Sequence, residues 1–336
     1  MKNTRFNFIF LILSLLFCFS QNSYSQVTEE WVVRYTEHNA TPRDMGLDSD
    51  GNIYVAGSYG DYCVIKYDPD GNIIWEASYD SETQFSSDNL EAMALDSSGN
   101  VYVTGRIPVL GAVVYDYATV KFDKNGNRLW IAHYDGGNNG SDRPYAICTD
   151  QHGNVYVTGE SGYAFNSDSD YGTVKYDSNG NEVWVARYKG PDNSTDVAYA
   201  ITIDDDGSVV VTGTSSQKMT TIKYNASGIE QWVVIDSAYC GRDMVLDSEG
   251  NIYITGSDYR HPPDYSPLVT IKYDPDGNTI WKARYGVDNL ASHSNHDGVA
   301  IALDRSDNVY VTGSSKSIVT NIDYAIIKYD GNGNQL

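Results

Sequence analysis

Short runs of β-branched and aromatic residues alternate with polar positions along the chain and break at Asp, Asn and Gly, and no window sustains a helical period. That is the pattern of half-buried strands joined by tight turns. One stretch, Asp-Ser-Ser-Gly-Asn-Val-Tyr-Val-Thr-Gly from Asp96 to Gly105, returns in close copies ending at Gly57, Gly159, Gly213, Gly256 and Gly313. Two further refrains lie between the copies: an Ile-Lys-Tyr-Asp type run, as at Ile65 to Asp68, and a Trp-x-x-x-Tyr run starting at Trp75, Trp130, Trp184 and Trp281, with Trp232 lacking its Tyr. Each unit of about fifty residues reads as four strands, named a to d in chain order, and such a period marks a solenoid, a propeller or an array.

Nine residues separate the Asp that ends strand a from the Gly that ends strand b in all six units, as from Asp96 to Gly105. Nine again separate the Lys of strand c from the Trp of strand d, as from Lys121 to Trp130. Constant spacing means rigid hairpins. The b–c connection instead spans 9 to 16 residues from Gly to Lys, and the d–a connection 15 to 23 from Trp to Asp. In an antiparallel meander the constant turns emerge at one end of each sheet and the variable loops at the other. One face of the protein is therefore plain, and the other carries the variation, where scaffolds place binding residues.

The strand count predicts an all-β, six-bladed β-propeller of four-stranded antiparallel blades. The sixth unit reaches only strand c, and the strand it lacks stands at the other end of the chain as Trp31-Val32-Val33-Arg34-Tyr35. If this run, near residues 30–36, completes the sixth sheet, the ring closes with no unpaired inner edge. The competing reading is a segment of a longer array.

The Asp-Ser-x-Gly-Asn-Val-Tyr-Val-Thr-Gly, Lys-Tyr-Asp-x-x-Gly-Asn and Trp-x-x-x-Tyr refrains resemble the bacterial β-propeller repeat family called SBBP and, more distantly, NHL repeats, whose units run in the same strand order. The resemblance covers Trp31 to Leu336. It implies the propeller fold and a secreted or surface-exposed location, and it implies no particular activity.

The first 25 residues stand apart, because Lys2 and Arg5 precede an apolar run from Phe8 to Phe19 and a polar stretch ending at Ser25. This is the order of a secretory signal peptide. It leaves residues 26–336 as a single propeller domain and predicts a secreted protein: extracellular, periplasmic or surface-associated after cleavage. The apolar run is short for a transmembrane span, and no second candidate follows. With 23 basic against 45 acidic residues the formal charge is −22. Such a chain lacks the clustered Lys and Arg that neutralise a phosphate backbone, which argues against nucleic acid and anionic membrane as partners. Cys63, Cys148 and Cys240 fall in or beside strands of different units and make no disulfide framework.

Four acids stand at the end of the d–a loops, just before or at strand a: Asp88, Asp142, Asp196 and Asp297. Strands a line the channel of a propeller, so these carboxylates are expected to meet at its mouth on the variable face. There they would hold a divalent cation or a cationic ligand group, as in six-bladed lactonase-type hydrolases; otherwise each caps its own turn. His293 and His296 share the last of these loops. Tyr59, Tyr115, Tyr163, Tyr259 and Tyr265, together with Tyr62 and Tyr171, fall in or near the b–c loops, where amphipathic rings suit protein or glycan contacts. The Asp-x-x-Gly-Asn runs lack the Gly and Glu spacing of an EF-hand and read as hairpin turns with a left-handed Gly. No Ser/His/Asp, Cys/His or phosphate-loop arrangement assembles. The expectation is a monomeric, secreted binding or scaffold module for a protein or carbohydrate partner, without a resident cofactor. The alternative is a metal-dependent hydrolase or lactonase holding a divalent cation such as calcium at the channel.

Overall fold

The computed structural model describes residues 30–35, 40–81, 87–109, 114–137, 140–162, 168–192, 194–258, 266–286, 297–316 and 322–336. Two units divide the chain, residues 1–34 and 35–336. Of the first, residues 30–34 are described and carry no strand. The second holds six sheets and, among the described residues, no helix. Each sheet is an antiparallel meander.

Blade one is β1 (Thr41–Leu47), β2 (Ile53–Ser58), β3 (Tyr62–Tyr67) and β4 (Ile73–Tyr79). Blade two is β5 (Asn89–Leu95), β6 (Val101–Pro108), β7 (Tyr115–Phe122) and β8 (Arg128–Tyr134), and blade three is β9 (Asp142–Thr149), β10 (Val155–Gly162), β11 (Ser169–Tyr176) and β12 (Glu182–Tyr188). Blade four is β13 (Val197–Ile203), β14 (Val209–Ser215), β15 (Lys218–Tyr224) and β16 (Glu230–Ile235). Blade five is β17 (Cys240–Leu246), β18 (Ile252–Ser257), β19 (Leu268–Tyr273) and β20 (Thr279–Tyr285), and blade six is β21 (Asp297–Leu303), β22 (Val309–Lys316) and β23 (Ile322–Tyr329). Strands a of successive blades, β1, β5, β9, β13, β17 and β21, pack against one another in that order. The protein is a β-propeller, with the blades in the order and pairing that the repeats predict.

Cores form between blades, because a blade buried on both faces must cover two apolar surfaces. Tyr54, Tyr62 and Val64 of blade one meet Leu90, Met93, Val103 and Val120 of blade two, and the other interfaces repeat the arrangement. The Trp of strand d ties each pair at its rim. Trp75 Nε1 donates to the Lys124 carbonyl at 2.9 Å, Trp130 to Ser178, Trp184 to Ala226, Trp232 to Pro275 and Trp281 to Gly331 at 3.1 to 3.2 Å. Each acceptor lies in the c–d turn of the next blade.

The constant hairpins are held by their own acids. Asp96 accepts the backbone N–H groups of Ser98 and Asn100, the Asn100 amide and the Tyr102 hydroxyl at 2.7 to 2.9 Å. The turn at Asp48 is built the same way, and Lys66 adds an ion pair at 3.2 Å. Although burial pushes the other way, hydrogen bonds led by Asn52 hold the Asp48 carboxyl down to about 2. These carboxylates are consumed by the turns that the sequence assigns to them.

In blade six Asp307 stands where the other a–b turns carry Gly, and it keeps the left-handed conformation with φ 57°. A side chain there costs energy that Gly does not. Asp307→Gly is expected to raise stability by about 0.5–1 kcal/mol in urea unfolding.

Two expectations change. Blade six has three strands among the described residues, and residues 30–35 carry no strand, so among the described residues no closing strand is found where one is expected near residues 30–36. Tyr35 packs on Cys63, Ile65 and Tyr67 of blade one, and its hydroxyl donates to Glu76 there. Tyr62 and Tyr171, grouped with the surface aromatics, are wholly buried between blades. They sit on the strand face that meets the next blade. Cys63, Cys148 and Cys240 are free thiols, and burial pushes each up to about 12.

Candidate functional site

Every blade repeats one irregularity. Near the start of strand a the register with strand b slips by one residue, leaving Arg43, Glu91, Tyr145, Tyr199, Arg242 and Val299 unpaired in their respective blades. The cause is the Gly that ends the Val-Thr-Gly refrain. A Cβ on Gly105 would lie 2.1 Å from the Asn89 carbonyl oxygen, and one on Gly213 1.9 Å from that of Val197. Strand a comes so close that only Gly fits, and the chain bulges around it. The bulge is at the variable-loop end of the innermost strand, so it presents one residue per blade at the channel mouth.

These residues touch around the ring. Arg143, beside the bulge of blade three, reaches Glu91 of blade two with Nε at 3.0 Å and Nη2 at 2.8 Å, and its guanidinium lies over the Tyr145 ring at 4.8 Å. Tyr145 meets Tyr199 of blade four edge to face at 5.1 Å. The Arg242 guanidinium of blade five lies 4.6 Å over Tyr199 and 3.8 Å from the Asp297 carboxylate of blade six. The result is a band running Glu91, Arg143, Tyr145, Tyr199, Arg242, Asp297 across five blades. All six residues are partly exposed, with the Glu91 side chain the nearly buried end of the Arg143 pair. Burial, with Glu160 second, pushes the Tyr145 hydroxyl up to about 12, and burial raises Tyr199 as well. Both rings stay neutral hydrogen-bond donors across the physiological range.

The predicted acids are placed differently from one another. Asp88 accepts the backbone N–H and hydroxyl of Ser81 at 2.7 and 2.6 Å. Asp142 accepts Gly136 N–H, Ser161 Oγ–H and Gly162 N–H at 2.9, 2.6 and 3.2 Å. Asp196 accepts Gly190 N–H and Ser216 N–H at 2.6 and 3.3 Å. All three are buried; the Asp142 and Asp196 carboxylates tie a d–a loop to the neighbouring b–c segment, whereas the Asp88 carboxylate bonds within its own loop and its backbone N–H donates to the Gly60 carbonyl at 2.7 Å. Only Asp297 reaches the band. Among the described residues no metal-ligating group contains two of the four.

Two of them instead gather neighbours of like charge, as Asp61, Asp80 and Asp88, and as Asp116, Asp135 and Asp142, with one oxygen from each within 4.8 Å of the others. Oxygen donors at that spacing suit a hard divalent cation. In the following blade Lys189 occupies the sequence place of Asp80 and Asp135, and Arg187 pairs with Asp170 at 3.3 Å, so basic side chains stand there already. Burial first, then Asp135 and Asp142, pushes the Asp116 carboxyl up to about 6. Since its folded value lies above its unfolded one, this group destabilises the fold above about pH 6 and ceases to as pH falls from 6 toward 4. Asp116→Asn is expected to add roughly 1–2 kcal/mol at pH 7.5 and to flatten the pH 4–6 stretch of a stability profile.

The family model described as Outer membrane protein assembly factor BamB matches residues 28–260. The chain belongs to that family. A second model, the β-propeller repeat SBBP, matches residues 280–318, in agreement with the refrains. Among solved structures, the Dos1 propeller has a TM-score of 0.59 at 12% identity over 88% of this chain and 69% of that one. YCF48 bound to D1 peptide gives 0.52 at 11% over 92% and 84%. A protein from Lactobacillus plantarum gives 0.51 at 15% over 87% and 79%. Likeness at such identity shows the fold alone. No curated protein matches the chain.

On this BamB-family propeller the predicted aromatics that are described, Tyr59 and Tyr115, lie off the band. Tyr59 packs against the Cys63, Ile65 and Tyr67 cluster, and Tyr115 opens β7 with the Arg106 guanidinium 4.9 Å over its ring. Tyr163, Tyr259, Tyr265, His293 and His296 lie outside the described residues. The band itself was missed by sequence reasoning. The signal that finds it is the refrain Gly, whose lack of a side chain marks where strand a must bulge.

Proposed function

We propose that this BamB-family propeller is a secreted binding module of the cell envelope or surface that holds an extended segment of a protein partner on the Arg–Tyr band of the channel mouth. The band is the observation that carries the reading. Tyr and Arg are the residue types that anchor protein interfaces, and here they are stacked on one another before any ligand arrives, so little side-chain freedom is lost on binding. Glu91 and Asp297 pair with Arg143 and Arg242, which leaves an amphipathic strip instead of an anion trap. The charge of −22 disfavours acidic partners on the rest of the surface. The family description names assembly of outer membrane proteins, and a propeller of similar fold is described with a bound peptide; both accord with a protein ligand. The reading invokes no cofactor and no catalysis.

Selection from a phage-displayed peptide library against the purified protein, with a glycan array in parallel, tests it. Peptides are expected to enrich, and Tyr199→Ala and Arg143→Ala are each expected to weaken the selected peptide about tenfold or more. Binding confined to glycans, or peptide affinity indifferent to both substitutions, overturns the reading.

A further inference from the structure

Five blade boundaries are alike, and among the described residues none of that kind joins blade six to blade one. Strand c in each of the first five blades turns one residue toward the following blade at the position of Tyr62, Tyr117, Tyr171, Met219 and Leu268, and all five have no exposed surface. The blade-six residue at that register is Tyr324, which is 83% exposed. Two positions on, Val64, Thr119, Thr173, Thr221 and Thr270 are likewise at 0%, whereas Ile326 is at 69%. The opposite end of the series mirrors this. Met93, Ile147, Met244 and Ile301, which strand a turns toward the preceding blade, are buried and Ile201 of blade four is partly so, whereas Met45 at the same register in blade one is 64% exposed. No packing of the kind that joins β1 to β5 joins β21 to β1 among the described residues. Among the described residues, blade six and blade one thus present two halves of a blade–blade interface, with Tyr35 seated on the blade-one half.

Tyr35 indicates what belongs there. The strand d Tyr79 of blade one crosses to His133 on the outer strand of blade two, with its hydroxyl 3.3 Å from His133 Nε2. Tyr35 crosses in the same sense to Glu76 on the outer strand of blade one and packs over Cys63, Ile65 and Tyr67. It stands on blade one as the outer-strand Tyr of a preceding blade stands on its successor.

We propose that the gap between blade six and blade one is the seat of a seventh repeat of the same kind, whose strands a, b and c cover Tyr324 and Ile326 on one side and Met45 and Leu47 on the other. The occupant follows from continuity with the interface already repeated five times. A blade of this repeat carries on one face what blade six lacks a partner for, and on the other what blade one lacks. A second copy of the chain would join blade six to blade one head to tail and generate an open series instead of a closed ring.

The test compares the 336-residue chain with the same chain extended by a duplicate of residues 230–273, which carry one each of strands d, a, b and c. Hydroxyl-radical footprinting and light scattering are read on both. The extended chain is expected to be a monomer in which oxidation of Tyr324 and Met45 falls about tenfold or more relative to the unextended chain, toward the rates of Tyr62 and Met93. If Tyr324 and Met45 are already as protected as Tyr62 and Met93 in a monomer of the unextended chain, six blades close the ring and the proposal is wrong. Protection that appears only as the unextended chain associates assigns the face to a second copy and overturns it equally. The double substitution Tyr324→Arg with Ile326→Asp guards against a misfolded extension. It is expected to leave the melting of the unextended chain unchanged, and a loss of many degrees would show that those side chains are buried there.

Discussion

Gly180→Ala is expected to cost about 2–5 kcal/mol of unfolding free energy, through two terms that separate cleanly. Gly180 sits in the c–d turn of blade three with φ +84°, and a Cβ there would lie 2.7 Å from the Trp130 indole of blade two. The left-handed backbone penalises any side chain by about 1–2 kcal/mol. The indole cannot retreat, since its Nε1–H is bonded to Ser178 in the same turn, so overpacking adds about 1–3 kcal/mol. Gly137 is the control. It has φ +81° and nothing within 4 Å of its built Cβ, so Gly137→Ala is expected to lose the backbone term alone. Urea unfolding of the two variants measures the difference. Equal losses would mean that the Trp on a neighbouring turn contributes nothing to joining the blades.

The hairpins, the Trp clamps and the blade order were legible because each rests on a local rule. A period of two, a constant nine-residue interval and an Asp-x-x-Gly turn leave few structures open. What was not legible depends on a single residue of register or on a neighbour distant in sequence. Tyr59 and Tyr62 occupy one short stretch, yet Tyr62 falls on the strand face toward blade two and is sealed, while Tyr59 stays half exposed. Thr-Gly at the end of strand b reads as a strand ending in a turn residue. In the fold the Gly is an approach point for strand a, and the bulge opposite it builds the channel band. The acids before strand a show the same ambiguity from the other side. One sequence pattern yields Asp142, wholly buried on its own loops, and Asp297, paired with Arg242 at the channel, because blade five supplies an Arg where blade two supplies Glu91.

Asp142 and Asp297 therefore respond differently to the same substitution. Asp142→Ala leaves the Gly136 N–H and the Ser161 hydroxyl without this acceptor in a buried site, while the Gly162 N–H keeps its bond to the Ser141 carbonyl at 3.1 Å. An orphaned buried donor costs about 1–3 kcal/mol, and two sharing one lost carboxylate sum to about 2–4 kcal/mol once water entry relieves part of it. Burial is the largest influence on this carboxyl and raises its pKa. The acid's folded value lies above the unfolded one, so the wild-type protein gains stability from this group as pH falls and the cost of Asp142→Ala grows. Asp297→Ala removes a partly exposed ion pair of 3.8 Å, and is expected to cost under about 1 kcal/mol while freeing Arg242 at the channel. Calorimetric unfolding at pH 7.5 and pH 5 distinguishes the two. A small loss at Asp142 with a large one at Asp297 would place the structural burden on the channel acid, and the loop role assigned to Asp142 would have to be given up.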